Sequence, residues 1–214
     1  MPATTYFGLL GCWILGLALV LRGIRVERIS RAAPRVAVGL AVGIALFLPL
    51  GDLSAVAYLR SFTGDLSVST LFLAGVGCID RIRGRQPADG RELQVLLWVL
   101  VCAGTFLYPL ALGLTPFDPY ALGYGSTALA SLLLIGSLVA WLTKSNVVVL
   151  VVILSVLAYL LGGYETRNLW DYLLDPLASG YALVRLLRLQ FKQGGSKPTG
   201  RHEPAPQAFG SGPP

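Results

Sequence analysis

Histidine is nearly absent from this chain: its 214 residues hold one, His202, close to the C-terminal end. A serine–histidine nucleophile, a histidine-rich zinc site and a histidine proton relay therefore have no material in the body of the protein. The three cysteines, Cys12, Cys78 and Cys102, are odd in number, lie in apolar runs and show no C-x-x-C spacing, which argues against a disulfide framework or a thiolate metal centre. There is no P-loop and no G-x-G-x-x-G, and the run from Gly123 to Ser126 has no base partner in sight. Charge is scarce as well, 13% of residues. The interiors of the first six apolar runs carry none, which weighs against an ion-coupled transporter. Basic residues are not interleaved with aromatics on a folded platform, so nucleic acid is not an expected partner. No cofactor is expected, and two aspartates with one asparagine are too few ligands for a dedicated metal site.

Apolar sequence is what the chain has in abundance. Hydrophobic side chains make up 55% of it and the mean hydropathy is +0.68, beyond the composition of an ordinary soluble domain. Apolar runs cover 6–21, 36–50, 66–79, 93–114, 126–142 and 147–163, most of them near the ~20 residues a membrane-spanning helix needs. Backbone amides in hydrocarbon must bond within their own segment, and strand-like alternation is absent, so the expected fold class is all-α: a polytopic transmembrane helix bundle. The runs 36–50 and 66–79 are short, so either Arg35 and Arg81 snorkel to the interface or the helices begin inside the flanking polar turns.

Fifteen of the seventeen Lys and Arg residues sit between or after these runs in a pattern that sets an orientation. Arg22, Arg25, Arg28, Arg31 and Arg35 follow the first run, Arg81, Arg83, Arg85 and Arg91 the third, and Lys144 the fifth. These loops are expected inside and the N-terminus outside. The first run lacks a basic leader and a clear cleavage site, so it reads as an uncleaved span, and Leu9, Leu10, Gly11 and Cys12 as helix rather than a lipoprotein signal. Arg185, Arg188, Lys192, Lys197 and Arg201 belong inside too, which calls for a seventh crossing over 168–189. Residues 1–192 are thus expected to form the bundle. Residues 193–214, rich in Gly and Pro, are expected to form a disordered basic cytoplasmic tail.

Small residues recur along two helices, at Gly8, Cys12 and Gly16 and at Gly39 and Gly43. Such faces serve close packing within the bundle, or a homo-oligomer or another membrane protein. A faint echo links Phe47, Leu48 and Pro49 with Leu107, Tyr108 and Pro109, consistent with a duplicated hairpin.

The outer side gathers most of the interfacial aromatics with Asp52, Asp65, Asp118, Glu165, Asp171 and Asp175. On one helix Asn168, Asp171 and Asp175 would form a stripe, and ionisable groups at membrane depth default to a functional hypothesis. Asp171 and Asp175 are the catalytic candidates. Asn168, Trp170, Tyr172, Arg167, Asp118 and Tyr120 are the binding candidates, and no metal ligand is named. A plainer possibility is that the stretch to Asp175 lies at the outer interface with its carboxylates in water. The expected function is a non-catalytic inner-membrane subunit or accessory of a bacterial cell-envelope machine, with membrane lipids and another membrane protein or a second copy as partners. The alternatives are an enzyme acting on a lipid-linked substrate through Asp171 and Asp175, or a carrier of a lipid or small neutral solute.

Overall fold

The computed structural model describes residues 3–85, 90–113 and 116–194. Nine α-helices supply almost all the regular structure there: α1 (Ala3–Gly23), α2 (Ala32–Ala45), α3 (Ala55–Thr63), α4 (Val68–Ile82), α5 (Arg91–Ala111), α6 (Thr127–Leu142), α7 (Asn146–Leu160), α8 (Leu169–Leu173) and α9 (Pro176–Gly194). The protein is all-α in class. Each of the six apolar runs becomes one helix, namely α1, α2, α4, α5, α6 and α7. Two segments, Thr4–Gly23 and Arg91–Ala111, are long and apolar enough to cross a membrane, each with a mean hydropathy of 1.9. Ala32–Ala45, Thr127–Leu142 and Asn146–Leu160 are apolar but shorter.

The helix starts are written in the sequence as side-chain caps. Ser54, Ser67 and Ser126 accept from the amides of Ala57, Thr70 and Ala128 at 3.3, 3.2 and 3.1 Å, satisfying donors that the first turn of a helix leaves open. Between helices, Gly64 and Gly162 adopt φ of +70° and +65°, which glycine reaches without a Cβ penalty.

The packing falls into two halves. Leu17, Leu21, Val26 and Cys78 form one core between α1, α4 and the turn after α1, while Cys12, Val56 and Leu66 form a second beneath α3. A larger core joins α5, α7, α8 and α9 through Leu96, Leu97, Leu100, Leu107, Val151, Leu173, Ala178, Ala182 and Leu186. Helix α4 connects the halves by touching α7, α8 and α9. On α9 the buried positions Ala178, Ala182 and Leu186 lie at i, i+4 and i+8, a single stripe facing α5. The approach is close: a Cβ at Gly104 of α5 would stand 2.5 Å from Ser179 Oγ.

Small residues on the N-terminal helices serve contacts inside the chain. Positions Gly16, Gly39 and Gly43 face Leu46, Ile82 and Trp13 respectively, and Trp13 Nε1 donates to the Gly43 carbonyl at 2.8 Å. The exterior, by contrast, is apolar. Along α6, Leu134, Ile135 and Leu142 are 72%, 61% and 67% exposed and only Leu129 and Ala140 are buried, an arrangement that water penalises and hydrocarbon does not.

Several expectations change. The stretch 168–189 is not one helix. It breaks at Leu174, which is extended (φ −146°, ψ 138°), and the next residue, Asp175, is kept from helical geometry by Pro176, which also supplies no amide to continue α8. The stripe of Asn168, Asp171 and Asp175 is therefore split between α8, its cap and the start of α9. The segment after α2 is more than a loop: Pro49–Leu50 pairs antiparallel with Leu53–Ser54, and α3 follows. Of the two arrangements expected for the short run 36–50, the second is found: α2 begins at Ala32 inside the polar turn, so Arg35 lies on the helix and donates to the Ile29 and Arg83 carbonyls at 3.1 and 3.3 Å. The two Pro motifs do not correspond, since Pro49 opens the hairpin and Pro109 lies inside α5. The tail lies from 195 onward outside the described residues.

Candidate functional site

The acidic and aromatic residues converge at one end of the bundle, around the short helix α8. Its anchor is Asn168, fully buried. The Asn168 side-chain oxygen accepts from the Trp170 amide at 2.9 Å, its amide nitrogen donates to the Tyr120 carbonyl at 3.0 Å, and its backbone N–H donates to Thr166 Oγ1 at 3.1 Å. Trp170 Nε1 donates to the Pro119 carbonyl at 2.9 Å. The short 3-10 turn Tyr120–Gly123 is thereby clamped to α8. Glycine is required at 123, where a Cβ would fall 1.7 Å from Asn168 Oδ1 and 2.9 Å from Trp170.

Tyr172 is also fully buried. Its ring stacks on Tyr164 (centroids 4.6 Å apart, 28° between planes) and meets the edge of Tyr159 at 5.6 Å, geometries that suit the aromatic quadrupole. The Tyr172 hydroxyl accepts from the Tyr164 amide at 3.0 Å and donates toward the Thr166 carbonyl at 3.2 Å, fixing the loop that carries Thr166. The Tyr164 hydroxyl in turn donates to the Leu66 carbonyl, tying that loop to the start of α4.

On this scaffold the two aspartates do different work. Asp175 Oδ2 accepts from the Ser67 amide at 2.8 Å, and Oδ1 accepts from Thr70 Oγ1 at 2.7 Å and from the Ala178 amide at 2.6 Å. One carboxylate thus caps both α4 and α9, where the helix dipoles favour negative charge. Ser69 Oγ adds a bond to the Leu173 carbonyl beside it. Asp171 Oδ1 accepts from the Tyr120 hydroxyl at 2.8 Å and Oδ2 from Thr166 Oγ1 at 2.6 Å. Asp65, at the same end, pairs with Arg60 (Nη2 to Oδ1, 3.1 Å).

A cleft of about 530 Å³ opens here, lined by Asp65, Tyr120, Thr166, Asp171, Asp175 and mainly apolar neighbours such as Leu107 and Leu174. Phe62, 91% exposed, stands at its rim. Burial pushes the Tyr120 hydroxyl well above the usual phenol range, and the hydrogen bond to Asp171 and that residue's charge push it further. Burial likewise raises Tyr164. Both phenols are hydrogen-bond donors at any physiological pH.

The structure brings Asn168, Trp170, Asp171, Tyr172, Asp175 and Tyr120 together in one cluster. Asn168 and Tyr172 have their polar atoms engaged by backbone and little surface left, so they hold the wall rather than meet a ligand. Asp118 is exposed and accepts from the Tyr120 amide at 2.9 Å, shaping the turn. Arg167 is exposed. Sequence reasoning missed Ser67, Thr70, Thr166, Arg60 and Asp65 as members of the site. A sequence signal existed for two of them, since Ser67 and Thr166 stand just ahead of apolar helical stretches where capping residues are found. Among the described residues no three His, Cys, Asp or Glu side chains converge in a way that could hold a metal ion. Compared with known protein families, curated protein sequences and solved structures, the chain matches none.

Proposed function

We propose that this protein is a multi-pass bundle of the bacterial inner membrane, N-terminus outside and C-terminus cytoplasmic, serving as a non-catalytic subunit or lipid-facing accessory of a cell-envelope machine. Support for the placement comes from the apolar exterior and from the charges. The ends of α1 and α4 and the latter part of α9 carry arginines at one end of the bundle, while the aspartates and tyrosines occupy the other, as the positive-inside rule requires of helices running in these directions. In this reading α9, 19 residues and about 28 Å long, is the seventh crossing, and α8 rests at the outer boundary.

The observation that carries the non-catalytic reading is the engagement of the acids. Asp175 holds three donors, Asp171 two, and Asp65 an arginine. A general base needs a lone pair free to meet substrate, and most of the acceptor positions of Asp175 and half of those of Asp171 are already taken by donors of the chain itself. One observation favours the enzyme alternative: Asp171 and Asp175 both border the same cleft. Native mass spectrometry of the full chain extracted in a mild detergent tests the main reading, with a stoichiometric protein partner as the expected result. Asp171→Asn separates the two. A variant that folds and keeps its partner supports the subunit, whereas one that folds normally but abolishes turnover of a lipid-linked substrate would install the enzyme in its place.

A further inference from the structure

A second and larger opening, a groove of about 1470 Å³ between α1, α4 and α9, starts at Pro176 and Leu177, which it shares with the aspartate cleft, and runs along α9 to the arginine end of the bundle. Helix α9 packs its alanine stripe against α5, so its other face is turned away from that contact. On this face Leu177, Gly180, Tyr181, Val184 and Arg188 follow one another at helical spacing, and all five are exposed. Among the described residues the groove's inner mouth is lined by Arg22, Arg25, Arg81, Arg85, Arg185 and Arg188, with one acid, Glu27.

Ordinary positive-inside bias fixes how many arginines a loop carries and not where they meet. Here three segments far apart in sequence each send two arginines to one cleft, whereas Arg28, Arg31, Arg83 and Arg91, from the same inner loops, do not line it. Arg25 does so from a left-handed backbone conformation (φ 53°, ψ 49°), uncommon for a residue with a Cβ. Among the described residues Arg22, Arg25, Arg85 and Arg188 have no carboxylate partner.

We infer that this groove binds one anionic phospholipid, its phosphate among the arginines at the inner mouth and an acyl chain along the exposed face of α9. Charge selects the headgroup, since arginine forks match phosphate oxygens and several converge. Geometry selects a chain: from Leu177 to Arg188 is eleven residues, about 16 Å of helix, close to half of the ~30 Å hydrocarbon core. The groove walls there are Leu19, Leu177, Tyr181 and Val184. The chain's own C-terminal segment is basic and is the wrong sign to fill it. The inference rests on the membrane placement proposed above, though not on the subunit role.

The test uses the full-length protein, delipidated in detergent and titrated separately with phosphatidylglycerol and phosphatidylcholine, with bound copies counted by native mass spectrometry. One phosphatidylglycerol binding ahead of all phosphatidylcholine is expected. Replacing Arg22 and Arg188 together by Ala should weaken that binding about thirtyfold, at the scale of two interfacial charges. Replacing Arg28 and Arg31, which removes the same charge outside the groove, should leave it unchanged. Gly180→Trp is an uncharged second probe. A Cβ at Gly180 meets nothing within 4 Å, so the indole enters open groove without disturbing the fold, and it should displace the lipid while the arginines remain. Equal affinity for the two lipids, equal loss in both arginine pairs, or retention in Gly180→Trp would overturn the inference. Competition by millimolar inorganic phosphate alone would reassign the site to a free phosphate. Failure of the wild-type protein to fractionate with membranes would instead bring down the placement, a separate result.

Discussion

The two ends of this bundle handle polar groups in opposite ways. At the aspartate end, Asp171, Asp175, Asn168, Tyr164 and Tyr172 all have partners inside the chain, and the carboxylates join segments as far apart as Ser67 and Asp175. At the arginine end, six arginines and Glu27 line an open groove, and Arg22, Arg25, Arg85 and Arg188 have no carboxylate partner among the described residues. A polar group whose capacity is exhausted by its own chain contributes to folding, and one left open is available to something else. On the reading proposed above, the acidic cluster serves mainly as architecture and the basic one as a surface for a ligand.

The sharpest way to break this contrast is Asp175→Ala. It uncaps α9 and strands the Ser67 amide and Thr70 hydroxyl at once, and a loss of about 3 kcal/mol is expected from charge-assisted bonds of this kind. A thermal melt of the purified protein that moves by less than a degree would show that the aspartate end is not structural. Next in size is Gly123→Ala, expected to cost about 2 kcal/mol because the added methyl would overlap the Asn168 amide. Proteolysis should then cut the loop before α8 faster than in wild type.

The Asp171 and Tyr120 pair sharpens the comparison by a smaller amount. In a double-mutant cycle of Asp171→Asn and Tyr120→Phe, a coupling of about 1 kcal/mol is expected from unfolding in denaturant. The same phenols give a pH signature. Their folded values lie above the ordinary ~10, so stability is intact below that pH and falls as alkali deprotonates them in the unfolded chain first. Melts from pH 8 to 11 should show the fall, and Tyr120→Phe should reduce it. Smallest of all, single substitutions of Arg22, Arg25 or Arg188 by Ala should shift stability by no more than about 0.5 kcal/mol. A larger loss at any of them would mean the arginine end is built like the other.

Much of this was legible in the residues because the signals were periodic or chemical. Six apolar runs became six helices, and loop composition led to the expectation that the arginine-rich turns share one side. The aspartate cluster was also foreseeable, since Asp171 and Asp175 sit where an apolar stretch ought to continue. What misled was continuity. Asn168, Asp171 and Asp175 fit a helical spacing, but Pro176 ends the geometry that spacing assumes, and a cap at Asp175 is a tertiary event settled by Ser67 and Thr70. Helix α3 escaped notice because Arg60, Ser61 and Thr63 dilute its apolar face, and packing of Val56 under α1 decides its fate. The arginine groove was hidden for a similar reason: its six residues come from three segments, and no linear pattern announces that they share a mouth.

The bonds from Asp175 back to Ser67 and Thr70 span 108 and 105 residues, so they tie the start of α9 to a helix synthesised well before it. While a ribosome is still making α5 to α7, the first turn of α4 has Ser67 as its cap but lacks the carboxylate that later grips the Ser67 amide and Thr70. Only when α9 has emerged and docked on α5 does that carboxylate arrive. The first turn of α4 therefore gains its last partners only after the chain beyond it has folded back, and a chain truncated before residue 175 is expected to be cut faster at that turn by an added protease.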